Sequence, residues 1–359
     1  MIPLPYIIPL GTVASTTTTP LWELAEKITP ISVSINEDIV PVSTATLVMP
    51  LGEELITRMH IVQLFTPNGE TACYRIRSMD VDHSNDTVTY QLDHMFAEVG
   101  DFCVMAKHTG NYAAATAIRR LWRGADASSN DDDSYLGGKW VLGDLTALSG
   151  ITVEMNVGNR TNLLTGVLDI MDGCPGTYLE FDFSEYQWTV NVSSMDNAAT
   201  QDRAFGRLSR NVASARVSFD YTDLCTRVRY YYDSWHMTTA SEELRRKYGL
   251  SEVLVSTSGE SSLARAQYVA KEYLRKNQEP HINISIDGAD LSSITGETFD
   301  KFKIGKLFTL YVPELDTDVT RNITRLSWPD VYGDPTRCSI TLGEDDPTLW
   351  AYLKSIKKK

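Results

Sequence analysis

The stretch GRLSRNVASARVSFDYTDLCTRVRYYYD, Gly206 to Asp233, decides how the chain is read, because a small α/β segment ends there and a second run of strands begins. From Ala213 onward polar and apolar residues alternate among β-branched and aromatic types, and Val228 to Tyr232 is the most strand-prone pentapeptide in the chain. Two strands are predicted, with a turn at Tyr221-Thr222-Asp223 of the kind in which an Asp side chain bonds its own backbone. Arg227 and Arg229 lie two apart and so share one face of the second strand.

Toward the N-terminus the period lengthens. Between about Phe102 and Val192 the pattern is that of a compact α/β module. Asn111 through Trp122 is predicted as a helix, alanine-rich, with arginines in its last turns and Gly124 as the C′ residue. A polar loop, Ala125 to Gly138, follows. A second helix from Asn162 to Asp172 puts Leu163, Leu164, Val167, Leu168 and Met171 on one stripe and stops at Gly173 and Pro175. Tyr178 to Phe183 and Gln187 to Val192 then alternate around Ser184-Glu185-Tyr186 as a hairpin.

Residues 1 to about 100 read as mostly strand. Ser32 to Ile39, Ser43 to Met49, His60 to Phe65, Tyr74 to Met79 and Thr87 to Leu92 are the predicted strands. Asn68-Gly69, which accepts positive φ cheaply, should close a hairpin between the third and fourth of them. Trp22 to Ile28 is expected to form one or two helical turns. On the C-terminal side, Leu263 to Lys276 is a predicted helix with Leu263, Ala266, Ala270, Tyr273 and Leu274 on its buried side, and Thr257 and Glu260 stand at capping-box spacing before it. Strands resume at His281 to Ile286, Leu307 to Tyr311, Asn322 to Trp328 and Arg337 to Thr341, and Asp345-Asp346-Pro347 opens a terminal helix.

The bulk properties fit an ordinary soluble protein of several small modules: 359 residues, 42% hydrophobic and 22% charged, with a mean hydropathy of −0.21. MIPLPYIIPLG at the start has no basic flank and three prolines, so neither a signal peptide nor membrane insertion is expected, and synthesis and assembly in a cytoplasm follow. Cys73, Cys103, Cys174, Cys225 and Cys338 are odd in number and scattered, and are read as reduced, mostly buried thiols. A net charge of −14 argues against a nucleic-acid-binding surface. The basic residues are local: Arg119, Arg120 and Arg123, then Arg275 and Lys276, then Lys354 and Lys357 to Lys359, which suit helix C-termini and a solvated tail.

The search for chemistry is nearly empty. The six histidines form no HExxH or Cys/His cluster, and no phosphate-binding glycine loop or GxSxG elbow is present. Asp131-Asp132-Asp133 is either a calcium loop or a solvated acidic one, and lacks the alternate spacing of an EF-hand. Cys174 is better explained as a small buried residue at a helix stop than as a nucleophile. Tyr230, Tyr231, Tyr232 and Trp235 belong either to a strand with one buried face or to an oligomer contact. No catalytic, cofactor-binding or metal-binding residue is therefore assigned, and no cofactor. The chain reads as a structural or assembly protein.

The order of segments carries a resemblance. TATLVMPLGEEL at 44 to 55, YRIRSMDVDHSNDTVTYQLDHMF at 74 to 96, TNLLTGVLDIMDG at 161 to 173 running into YLEFDFSEYQWTVNV, then GRLSRNVASARVSFDYTDLCTRVRYYY, and LARAQYVAKEYLRKNQEPHINISIDGADL with the Lys306 to Leu310 strand, together resemble the phage minor structural protein family. These are the N-terminal regions of tail-associated lysins (the prophage tail endopeptidase family), similar to the baseplate hub of contractile-tailed phages. The resemblance implies an α+β, mainly β fold: two small antiparallel β-barrel domains with an intervening α/β domain. The corresponding division is 1–100 for the first barrel, 101–198 for the α/β domain, 199–345 for the second barrel with a helical insertion at 258–277, and 346–359 for a C-terminal helix. It further implies a homotrimeric ring in the virion tail, with a distal tail protein or tail tube protein on one side and a tail tip, spike or tape-measure protein on the other. DNA passes through the lumen of such a ring. Three chains of −14 make −42, and an acidic lumen would let DNA slide rather than stick. The lytic domain common in the family is expected to be missing here, since the sequence stops just past the hub region. Residues 2 to 19 depart from the family pattern and are read as an extra contact arm. Two other readings are a cell-wall hydrolase and a receptor- or carbohydrate-binding tail module.

Overall fold

The computed structural model describes residues 2–9, 25–39, 43–52, 55–57, 60–104, 108–125, 135–136, 140–157, 161–174, 176–183, 188–196, 204–206, 211–256, 263–295, 297, 301–312 and 317–343. The acidic run at 131–133, the capping pair at 257 and 260 and the terminal helix from 345 lie outside them. The fold is mainly β. The chain divides into two compact units, one of residues 1–214 with 286–359 and the other of residues 215–285.

A large, almost wholly antiparallel sheet dominates the first unit. Its strands alternate because one side of each is in the core: in Ser32–Asp38 the residues Val33 and Ile35 are wholly buried, and in Thr87–His94 every second residue from Val88 is buried. Thr44–Pro50 lies between these two strands. His60–Phe65 and Thr71–Asp82 form the expected hairpin, with Gly69 at φ +85 in the turn. A bulge between Ile76 and Ser78 shifts the register against Thr87–His94. Thr317–Trp328 joins the late strands to the early ones, pairing Arg325 with Asp38 and Trp328 with Ile35, so both predicted strand regions are parts of one sheet. Leu307–Val312 and Arg337–Leu342 flank it, as predicted.

The N-terminal stretch differs from expectation. Tyr6–Pro9, within the stretch read as an extra contact arm, is a sheet strand against His60–Gln63, with Ile8 wholly buried, and residues 10–19 lie outside the described residues. The helical turn expected within Trp22 to Ile28 is replaced at Glu26–Lys27 by a two-residue strand, which takes up the otherwise open edge at Tyr6 and Ile7; Trp22 to Leu24 lie outside the described residues.

The middle segment packs two helices on short strands. Leu163–Asp172 is the predicted helix, capped by Asn162, whose Oδ1 accepts from the Thr165 N–H at 3.1 Å, and its whole predicted apolar stripe is buried. The other helix is shorter at its start than predicted: it runs Ala114–Ala125, and Asn111 to Ala113 are strand, paired with Thr152 to Glu154. Gly124 is within the helix and not at C′. Thr177–Asp182 and Trp188–Ser194 form the predicted hairpin.

The second unit is a three-stranded sheet backed by a helix. Arg227–Tyr232 is central, antiparallel to Ser234–Thr239 and parallel to Glu252–Val255. It does not pair with Val212–Asp220, the strand before the predicted turn, whose Asp220 Oδ1 accepts from the Thr222 N–H at 2.8 Å. Leu263–Asn277 covers one side through Ala266, Ala270 and Leu274, packed on Val228 and Tyr230. Leu263 is not on that side; it is exposed at the helix start. Ser241 caps a further short helix, Glu242–Tyr248, by accepting from the Leu244 N–H at 3.3 Å.

Candidate functional site

Alternation along the three strands of the 215–285 unit places Val228, Tyr230, Val253 and Val255 toward the helix and the intervening side chains outward. The outward set includes Tyr231, 53% exposed, Trp235, 61%, Met237, 63%, and Leu254, 63%. Register brings them together: Tyr231 stands opposite Trp235, with ring centroids 5.4 Å apart, and Arg229 stands between Met237 and Leu254. Both arginines reach Glu252, Arg229 Nε to Oε1 at 2.9 Å and Arg227 Nη1 to Oε2 at 3.3 Å, so the two guanidinium groups share one carboxylate. Of the two readings of the aromatic run, the strand with one buried face is what the structure has, with Tyr230 in the core; Tyr231 and Trp235 form an exposed apolar patch on its other face.

Buried Thr226 fixes the start of the central strand. Its Oγ1 donates to the Gly249 carbonyl at 2.9 Å and accepts from the Ser251 N–H at 3.0 Å, while its carbonyl accepts from the Ala240 N–H at 2.9 Å. One residue, through its side chain on one side and its carbonyl on the other, therefore ties all three strands at one end.

A second feature lies in the first unit, a cavity of about 110 Å³ among the 32–38, 71–82 and 177–182 strands and the 301–304 segment. Lys303 is held there by its neighbour: the Phe302 N–H donates to Asp290 Oδ2 at 3.0 Å, its carbonyl accepts from Asn68 Nδ2 at 2.9 Å, and its ring is wholly buried against Phe308. Lys303 Nζ donates to Glu180 Oε1 at 2.8 Å and stands 3.4 Å from Glu70. Burial opposes its charge, but the Glu180 hydrogen bond and the two carboxylates outweigh that and hold its pKa above the ordinary lysine value. Burial likewise raises Glu180, yet the bonds from Lys303 and Ser193 keep that carboxyl below its usual range.

Glu37 is the residue that sequence reading missed. It continues the phase of buried Val33 and Ile35, a carboxylate at a core position of a strand, and that phase is the signal. The residue is half-buried and lines the cavity. Burial, with Glu70 adding and Lys303 opposing, pushes its pKa up to about 8. His94 at the same cavity is held neutral, burial taking it down to about 3.

Cysteine chemistry finds no support in the geometry. Cys73, Cys174, Cys225 and Cys338 are buried and only Cys103 is exposed. Burial pushes Cys174 up to about 11, and its thiol lies 3.3 Å from the Ile170 carbonyl, as a small residue at a helix stop should. Among the described residues no group of three His, Cys, Asp or Glu side chains is arranged to hold a metal, and no helix is long and apolar enough to cross a membrane.

No protein-family model matches the sequence, and neither does any curated protein. Solved structures do match. A prophage tail protein of Listeria monocytogenes superimposes with a TM-score of 0.61 at 13% identity, covering 99% of each chain. The chain has the fold of prophage tail proteins. A tail protein of Neisseria meningitidis gives 0.62 at 12% identity over 96% of this chain and 98% of that one. The 43 kDa tail protein of prophage MuSo2 from Shewanella oneidensis gives 0.59 at 12% identity over 94% and 97%. The likeness covers 94% or more of this chain in each case, so the exposed aromatic face and the Lys303 cavity are local features of that fold.

Proposed function

We propose that this chain is a structural protein of a phage or prophage tail. It acts as a hub, three copies closing into a ring that joins the tail tube or a distal tail protein to the tail tip, spike or tape-measure protein. The supporting observation is the extent of the likeness to tail proteins, which takes in 94% or more of both chains in three separate comparisons. Each chain contributes two small β-barrel domains and the α/β domain between them, divided at 1–100, 101–198 and 199–345, with 346–359 as a tail. Its place is the virion tail, reached by assembly in the bacterial cytoplasm, and it works by protein contacts rather than by catalysis. With −42 on three chains, an acidic lumen lets DNA pass without specific binding.

The outer face of the 215–285 unit takes a neighbouring copy of the same chain. Chains of −14 repel one another, and this apolar patch, with Arg227 and Arg229 sharing the one carboxylate of Glu252, adds no negative charge to that repulsion. Trp, Tyr, Met and Arg are the residue types that stable interfaces favour. Negative-stain images of the purified chain test the ring directly: threefold rings with an open centre are expected, and single compact particles would count against it.

A further inference from the structure

The Lys303 cavity is more than an ion-pair cluster, because two of its lining side chains, Glu37 and Tyr74, stand outside that pairing. Asp38 is paired with Arg325 at 2.6 Å, Glu180 with Lys303 at 2.8 Å, and Glu70 with Lys303 at 3.4 Å and Lys301 at 3.9 Å. Among the described residues Glu37 has no cation within ion-pair distance and no hydrogen-bond donor. Beside it Tyr74, 0% exposed, lines the same cavity with a hydroxyl that has no hydrogen-bond partner among those residues. A buried hydroxyl without a partner is costly unless something in the cavity satisfies it, and the Glu37 carboxyl lines the same space.

We propose that this cavity is a binding site for a primary ammonium group, held by the Glu37 carboxylate and the Tyr74 hydroxyl. The N–H donors of such a group satisfy both oxygens. Tyr178, Phe181 and Phe183 line the remaining wall and suit a cation carried on a short alkyl chain. Lys303 cannot play this part itself, since its ammonium is committed to Glu180 and Glu70. A metal ion fits less well, as the described carboxylates and histidines do not converge in a ligand set. The inference does not depend on the tail assignment.

Binding is coupled to a proton. With a pKa of about 8 Glu37 is mostly protonated at neutral pH, and the incoming cation ionises it, releasing one proton to solvent. Glu70 and Lys303 also face it and act on its charge in opposite directions; His94 stays neutral, Glu180 and Lys303 charged, and Tyr178, pushed up to about 12 by burial, neutral. Affinity should therefore rise by about tenfold per pH unit from pH 6 and level off above pH 8.

Calorimetric titration of the full chain with n-butylammonium chloride tests this, with a lysine-containing pentapeptide as a second probe. Saturable binding with that pH profile is expected, abolished by Glu37→Gln and weakened by Tyr74→Phe in variants whose circular dichroism is unchanged. Binding of the free amine alone assigns the site to a small amine, and binding of the peptide as well assigns it to a lysine of a neighbouring protein. Absence of binding by both probes would overturn the proposal, as would unchanged affinity in Glu37→Gln or equal binding of tetramethylammonium, which has no N–H to donate.

Discussion

At the scale of single residues, the cavity makes two predictions about stability. An unfolded glutamate loses its proton near pH 4.3, about where model peptides do, while folded Glu37 loses it at about 8. Between those values the folded state holds the extra proton, so stability falls as pH rises, by at most about 1.4 kcal/mol per unit, and the dependence on this group is flat outside the window. Glu37→Gln removes that slope, so the variant should gain on the parent from pH 5 to pH 8 in urea melts; parallel curves for the two proteins would contradict the assignment. Gly305 is the second case. It sits at φ +80, and a Cβ there would stand 2.7 Å from Cε1 of Tyr178, which lines the cavity. Gly305→Ala combines an unfavourable left-handed backbone with a collision against a ring, and about 2 kcal/mol of lost stability is expected from chemical denaturation.

At the scale of elements, Asn162 shows how much one cap does. Its Oδ1 takes the Thr165 N–H at the helix start and its Nδ2 donates to the Gly100 carbonyl, joining helix to the preceding segment. Asn162→Ala should cost about 1 to 2 kcal/mol, read as a lower melting temperature with unchanged secondary structure. This helix was legible in the sequence because its stripe has the helical period and its cap is a standard type. The hairpin at Gly69 was legible for a similar reason, since one turn required positive φ and one residue supplied it. Other elements were hidden by the same rules. Ser234–Thr239 turns Trp235 and Met237 outward and leaves only partly buried His236 and Thr238 inward, so its polarity runs opposite to an ordinary half-buried strand. Asn111 to Ala113 look helical by composition, and only the Thr152–Val157 strand makes them extended. The Arg325–Asp38 contact joins residues 287 apart, which no local pattern reports. Glu37 alone announced the cavity, as a charge in a core phase; its partners from the 177–182 strand and the 301–304 segment meet it only in three dimensions.

At the scale of the whole molecule, the account rests on self-association. The outer face of the 215–285 unit supplies a specific prediction: Trp235→Asp places a charge in the centre of an apolar contact, and a buried Trp at an interface is commonly worth about 2 kcal/mol or more. Self-association should weaken by at least about 30-fold, while the isolated chain, in which Trp235 is 61% exposed, keeps its fold. Unchanged assembly in that variant would move the contact to another face without touching the ring itself. The ring is tested most directly by the mass of the unmodified protein in solution, from light scattering coupled to size exclusion over a range of concentrations. Three chains of 40.1 kDa predict about 120 kDa; a single species near 40 kDa at every concentration would contradict the trimeric hub.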